Sequence, residues 1–228
     1  MHEDYSQPVF NSLPKAVIAL AVVIMAIELI LTAGARGYLG GQDAIGWRIG
    51  AMEDYGFFNQ ALYFMIERGE LRFDLLYRFV TYPFVHGSFT HAIFVVVFLL
   101  ALGKLVGEVF GNLAVLILFF ACGIFGAVIY AGLTGADQFL IGGFPSVYGL
   151  IGAYTFLLWI RFGAMGENQY QAFTLIGFLL GIQLVFGVLF GTGYDWIAEI
   201  AGFAFGFFLT PALVPGAFRR FLERMRQR

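Results

Sequence analysis

Charged side chains are scarce in this sequence. Asp, Glu, Lys and Arg together make up 12% of its 228 residues, whereas soluble globular proteins average about 25%. Hydrophobic residues make up 60%, which excludes an ordinary soluble domain and indicates a membrane protein. The net charge of −2 provides no positive surface field, so nucleic acid is not expected as a partner.

Cysteine and histidine are also rare. Cys122 is the only cysteine and lies within an apolar run, which excludes an internal disulfide and a cysteine-based metal site. The histidines are His2, His86 and His91. His86 and His91 are five residues apart, not the four that place two metal ligands on one helical face, and no third ligand is evident. We therefore expect neither a metal ion nor another cofactor.

Long hydrophobic runs, by contrast, are abundant. The 28 Phe and 30 Gly fit membrane helices that pack closely through small residues. We predict an all-α membrane protein, a single domain over residues 1–228, with six transmembrane helices in one bundle. The six runs cover residues 15–33, 81–102, 112–133, 146–160, 172–190 and 196–213.

One carboxyl group, that of Glu28, falls inside the first run. A carboxyl at that depth is costly and usually faces the bundle interior or a water pocket. We expect a structural polar contact, with a proton-handling role as the alternative.

The connections between the runs carry most of the charge. Residues 1–14 form a polar tail, 34–82 a long loop, and 216–228 a basic tail. Within the loop, apolar residues recur with helical spacing over 57–66, which predicts a short amphipathic helix at the membrane interface. We therefore expect this loop to be partly helical.

The placement of Lys and Arg predicts the orientation. Lys104 follows the second run, Arg161 follows the fourth, and five Arg lie in the basic tail, whereas the short connections after the third and fifth runs have none. The positive-inside rule then places both termini in the cytoplasm. No cleavable signal pattern follows the first run, so we expect it to remain as an anchor. The short termini and six-span plan suit a bacterial inner (plasma) membrane.

A loop rich in glycine lies between the third and fourth runs. Gly142-Gly143-Phe144-Pro145-Ser146 leads directly into apolar residues. Proline is tolerated in the first helical turn, and serine is a good helix cap. We predict a re-entrant loop that ends at a helix start, with Ser146 acting as the cap.

Five short motifs occur in order at compatible spacing. They are Tyr77-Arg78, the pair His86 and His91, the series Gly103, Glu108 and Gly111, the run Val147-Tyr148-Gly149-Leu150, and Ala198-Glu199 followed by Gly202 and Gly206. Over about residues 70 to 210 the chain resembles the rhomboid family of intramembrane serine proteases. The resemblance implies a six-helix bundle with a long loop after the first helix and an active site at the re-entrant loop.

The positions that match the family's catalytic residues hold different side chains. Phe144 stands at the nucleophile, Glu199 at the catalytic histidine, and Val95 at the asparagine that stabilises the oxyanion. Acyl transfer by serine needs a hydroxyl, a base within hydrogen-bonding reach and donors for the oxyanion. We therefore predict a pseudoprotease, not an enzyme.

The remaining motif residues are expected to serve two other roles. Seven should line the cavity of the former active site: His86, His91, Gly142, Gly143, Pro145, Ser146 and Tyr148. Four are expected to be structural: Arg78, Glu108, Gly202 and Gly206. Because the family places the two positions in contact, we also expect a hydrogen bond from Tyr148 to Glu199.

Three functions remain open from the sequence. The first is a scaffold that binds transmembrane segments of other membrane proteins without cleaving them, with Gln183 as a polar contact on the fifth run. The second is a fixed structural subunit of a larger membrane complex. The third is a non-standard peptidase that uses Ser146 with Glu199 or His86.

Overall fold

The computed structural model describes residues 12–135, 139–190 and 193–213. The basic tail and most of the N-terminal tail therefore lie outside the described residues. The helices of the described chain, in order, are α1 (Lys15–Ala35), α2 (Trp47–Tyr55), α3 (Asn59–Arg68), α4 (Phe73–Leu76), α5 (Arg78–Thr81), α6 (Phe89–Phe110), α7 (Asn112–Leu133), α8 (Phe144–Met165), α9 (Thr174–Phe190) and α10 (Asp195–Leu213).

Five helices in the described part of the chain are long and apolar enough to cross a membrane, namely α1, α6, α7, α8 and α10. They follow five of the six predicted runs. The remaining run corresponds to α9, which has 17 residues and a length of about 26 Å. The prediction of an all-α membrane protein is thus confirmed, whereas α9 as a sixth span remains a prediction.

Two helix starts differ from the predicted ones. The second run was predicted to be helical from residue 81, but α6 begins at Phe89, where the hydroxyl of Ser88 accepts a hydrogen bond from the backbone N–H of His91 at 3.2 Å. The central helix α8 begins at Phe144, with Gly143 in the capping position and Pro145 in the first turn. Ser146 is therefore inside the helix, and the prediction that it acts as the cap was wrong.

Small residues bring α8 and α10 into close contact at the centre of the bundle. A Cβ atom at Gly202 would collide with the carbonyl oxygen of Pro145, and one at Gly206 with that of Gly149. These are backbone atoms that a rotamer change cannot move away. A side chain at either glycine would therefore push α8 and α10 apart.

The long loop holds helices α2 to α5 and is anchored to the bundle. Phe57 and Leu140 form an isolated antiparallel bridge, with N–H to carbonyl distances of 3.0 and 2.7 Å. Asn59, which is 2% exposed, donates its amide to the carbonyl and hydroxyl oxygens of Thr134 at 2.6 and 2.9 Å. The helix expected over 57–66 corresponds to α3. The loop thus covers the end of α7 and the segment that leads into α8.

A buried ion pair joins α1 to this loop. Glu28 is 1% exposed, and its two carboxylate oxygens accept hydrogen bonds from Arg48 of α2 at 2.7 and 3.0 Å. Thr32 donates to the same carboxylate at 2.8 Å. Arg48 also donates to the carbonyl oxygen of His86 at 2.6 Å. Glu28 therefore makes the structural polar contact that the sequence favoured.

Candidate functional site

The entry into α8 is a tight backbone arrangement that needs glycine. Gly142 has φ +89°, and a Cβ atom there would lie 2.5 Å from the imidazole ring of His91. Its N–H donates to the carbonyl oxygen of Tyr82 at 3.0 Å, and the N–H of Gly143 donates to Nε2 of His86 at 3.3 Å. The segment before α8 is therefore held against the turn that precedes α6.

Aromatic rings pack around the first residue of α8. The rings of Phe144 and His91 are stacked, with centroids 5.1 Å apart and an interplanar angle of 17°. His91 also meets His86 edge to face at 5.0 Å, and Phe144 meets Tyr148 edge to face at 6.3 Å. Phe144 thus fills the space between the start of α8 and the start of α6.

A carboxylate on α10 faces the same region. Glu199 is 5% exposed, and its Oε2 atom accepts a hydrogen bond from Nε2 of Gln183 on α9 at 2.6 Å. The side chains of Tyr148 and Glu199 are also close enough to interact, in keeping with the contact expected from the sequence. Gln183, which was predicted as a polar contact for a client segment, thus pairs with Glu199 inside the protein.

A cavity of about 330 Å³ opens beside this group. Most of its polar groups lie on α6, α9 and α10, and its apolar side chains come from α6, α10, the segment before α8 and α8 itself. The lining residues are Ser88, Thr90, His91, Phe94, Leu140, Ile141, Phe144, Pro145, Gln183, Gly193, Asp195, Trp196 and Glu199. Asp195 and Trp196 are site residues that the sequence analysis missed, although their position one turn before Glu199 places them on the same end of α10.

The predicted cavity residues divide into two groups. His91 and Pro145 line the cavity, together with Phe144 and Glu199, whereas the other five predicted residues are not among its lining: His86, Gly142, Gly143, Ser146 and Tyr148. His86 is fully buried behind it, where it supports the backbone of Gly143. Burial, with a smaller contribution from the neighbouring His91, lowers the pKa of His86 to about 4, so this ring is neutral at physiological pH.

Ser146 is placed away from the cavity. It is fully buried, and its hydroxyl oxygen lies so close to α7 that a Cβ atom at Gly123 would be only 2.5 Å from it. No hydrogen-bond partner for this oxygen is present among the described residues. Val95, at the position of the family's asparagine, is also fully buried and faces Gly143. Neither side chain offers a polar group to the cavity.

Two further motif residues lie outside the site. Arg78 donates to the carbonyl oxygens of Glu53 and Gly56 at 2.6 and 2.9 Å and lies over the ring of Phe58 at 4.9 Å. Glu108 pairs with Lys104 at 3.9 Å on the surface of α6. Arg78 therefore stabilises the long loop, whereas Glu108 makes only a local contact. Among the described residues, His, Cys, Asp and Glu form no group of three or more that could hold a metal ion.

These features define an integral membrane protein of the intramembrane-protease-like class. It is an apolar helix bundle whose central helix starts at a glycine-rich loop, beside an open cavity with a few polar groups. Residues 74–216, more than half of the chain, match the family described as the Rhomboid domain. The chain belongs to the rhomboid family, which confirms the resemblance seen in the sequence. No curated protein matches the chain.

Proposed function

We propose that this protein is a rhomboid pseudoprotease that binds transmembrane segments of other membrane proteins without cleaving them. The observation that carries the proposal is the stack of Phe144 on His91. A phenyl ring has no nucleophilic atom, and at the first residue of α8 it occupies the place where the family carries its serine. Glu199, at the position of the family's base, is engaged by Gln183. Loss of nucleophile and base removes the covalent route altogether.

The cavity supports a binding role. It combines apolar walls with a small number of polar groups, as binding sites commonly do. Beside it, α9 presents exposed Phe178, Ile182 and Val185, which suit contact with lipid or with another apolar helix. A client segment that approaches along α9 would meet Gln183, Glu199 and Phe144 in turn.

The proposal also covers the orientation of the protein in the membrane. The helix α9 crosses the bilayer in addition to the other five helices, which makes six spans in all. The bundle lies in a bacterial inner membrane with both termini in the cytoplasm. The loop that holds α2 to α5 and the cavity then lie towards the opposite side. Lys104 and Arg161, at the cytoplasmic ends of α6 and α8, support this orientation.

Site-specific photo-crosslinking in native membranes tests client binding. A photoreactive residue replaces Phe94, which lines the cavity and is 54% exposed. The matched control replaces Val109, which is equally exposed at the other end of the same helix. We expect a range of membrane proteins to be captured from Phe94 at more than the level seen from Val109, and the profile to change in Phe144→Ala.

Two other outcomes would overturn the proposal. A single partner captured from both positions in near-equal amount to the protein would make it a fixed subunit of a membrane complex. Labelling of the wild type by a fluorophosphonate probe, absent in Ser146→Ala, would make it a peptidase. The burial of Ser146 against α7 argues against that second outcome.

A further inference from the structure

A second hollow lies between α1 and the long loop, apart from the cavity. It is an apolar groove of about 470 Å³ between α1, α2 and the turn that follows α5. Its lining residues are Val23, Ile27, Ile30, Leu31, Ala51, Tyr55, Thr81, Phe84 and Val85, and no charged side chain is among them. None of these residues lines the cavity at the start of α8.

The groove follows a membrane-spanning helix. From Val23 to Leu31 it runs along nine residues of α1, about 12 Å, and it ends four residues before the end of that helix. Val23 and Ile30 are 46% and 51% exposed, so the groove opens outward between them. An apolar space facing the bilayer core holds no water and is filled by hydrocarbon.

At one end the groove joins a further hollow that contains acidic residues. The two spaces share the lining residues Leu31, Ala51 and Tyr55. The further hollow also contains the carboxylates of Asp43 and Asp54. We call this second space the acidic mouth; Gly46, Trp47 and Gly50 complete its lining. Trp47 and Tyr55 are 40% and 47% exposed, and such side chains are enriched where a membrane meets water.

The arginine of α2 does not pair with the acidic mouth. Arg48 follows Trp47 in α2, but its guanidinium donates to Glu28, Thr32 and the carbonyl oxygen of His86. The space beside the carboxylates is open, because a Cβ atom at Gly46 or Gly50 would meet nothing within 4 Å. The combined site is therefore a hydrocarbon groove at membrane depth with two carboxylates and an unfilled space at its outer end.

We propose that this site binds a phosphatidylethanolamine molecule, with one acyl chain in the groove and the ammonium group in the acidic mouth. The ammonium carries N–H groups that donate to Asp43 and Asp54 as charge-assisted hydrogen bonds. A choline head has no such donor, and a glycerol head leaves the phosphate charge uncompensated against two carboxylates. The site thus selects the amine among common phospholipid heads, and it does so independently of the client-binding function.

Native mass spectrometry of the full chain tests this selection. The protein is delipidated in detergent and exposed to equimolar dioleoyl phosphatidylethanolamine, phosphatidylcholine and phosphatidylglycerol. A charge near the membrane surface changes lipid affinity by about fivefold, so with two carboxylates we expect the ethanolamine lipid to be retained over the glycerol lipid by about 25-fold. The ratio should fall to about one in the double variant Asp43→Asn/Asp54→Asn.

A matched pair of glycine variants separates lipid bound at the acidic mouth from the general lipid shell. Gly50→Leu places a side chain in the acidic mouth, whereas Gly132→Leu adds the same side chain at an exposed position of α7 where a Cβ atom also meets nothing within 4 Å. We expect Gly50→Leu to lose the retained lipid and Gly132→Leu to keep it. Equal retention of the three lipids by the wild type would overturn the proposal, as would unchanged retention in Gly50→Leu or a copurifying protein in place of lipid.

Discussion

The ion pair between Glu28 and Arg48 makes a quantitative prediction. Glu28 is 1% exposed and Arg48 17% exposed, so removal of the arginine leaves a carboxylate inside the bundle with only the hydroxyl of Thr32 as a donor. Breaking one side of a buried pair typically costs about 3 to 5 kcal/mol. Because Arg48 is partly exposed, we take the lower value and expect Arg48→Leu to lower the free energy of unfolding by about 3 kcal/mol.

Substitution of Glu28 instead leaves the charge of Arg48 with other hydrogen-bond partners. In Glu28→Leu the guanidinium of Arg48 keeps the carbonyl oxygen of His86 and can reach water, so we expect a cost of about 2 kcal/mol. The double variant has no unpaired charge, and we expect it to cost about 2 kcal/mol as well. The double-mutant cycle then gives a coupling energy of about 3 kcal/mol.

Reversible unfolding in mixed detergent micelles, followed by tryptophan fluorescence, measures these free energies. The four proteins are compared at one detergent composition and one pH. If the double variant costs about 5 kcal/mol, the sum of the two single costs, the residues act independently and the reasoning from the buried pair is refuted.

Two further predictions concern the bundle and the site. Gly206→Ala should lower the free energy of unfolding by about 1 to 3 kcal/mol, because its Cβ atom would meet the backbone of α8. A Cβ atom at Gly132 meets open space, so Gly132→Ala should be neutral or stabilising by up to about 1 kcal/mol in the same assay. Equal effects of the two substitutions would contradict the close packing. His86 is held neutral in the folded protein, where its pKa is about 4, compared with 6.5 in the unfolded chain. Its contribution to the free energy of unfolding is therefore unchanged above pH 6.5. As the pH falls from 6.5 to 4, the free energy of unfolding decreases by up to about 3 kcal/mol, because only the unfolded chain takes up the proton. The difference in unfolding free energy between the wild type and His86→Gln, measured across this range, should show that loss, and a pH-independent difference would contradict it.

Much of the bundle was predictable from the sequence, because long apolar runs have few alternatives in a membrane. The third span was placed at residues 112–133, as observed for α7. The start of α6 was missed because apolar residues continue from Tyr82 to Val85, although Ser88 is a good capping residue. Similarly, Pro145 in the first turn implied that α8 begins before Ser146.

The site was predictable in its residue types and less so in its geometry. Phe144 and Glu199 were identified by their position in the motifs, and the cavity contains both. That Ser146 points towards α7 depends on the helix starting at Phe144, which the motifs do not specify. The pairing of Arg48 with Glu28 depends on how the long loop folds back on α1, and no local pattern encodes it.

The hydrogen bonds of Arg48 also bear on where the folding unit begins. The match to the rhomboid family starts at residue 74, yet Arg48, which precedes it and is paired with Glu28, donates to the carbonyl oxygen of His86, whose ring in turn supports Gly143. A fragment limited to residues 74–216 would lack α1 and α2 and would leave that carbonyl without its donor. The segment covered by the family match is therefore smaller than the segment whose hydrogen bonds hold the start of α8 in place.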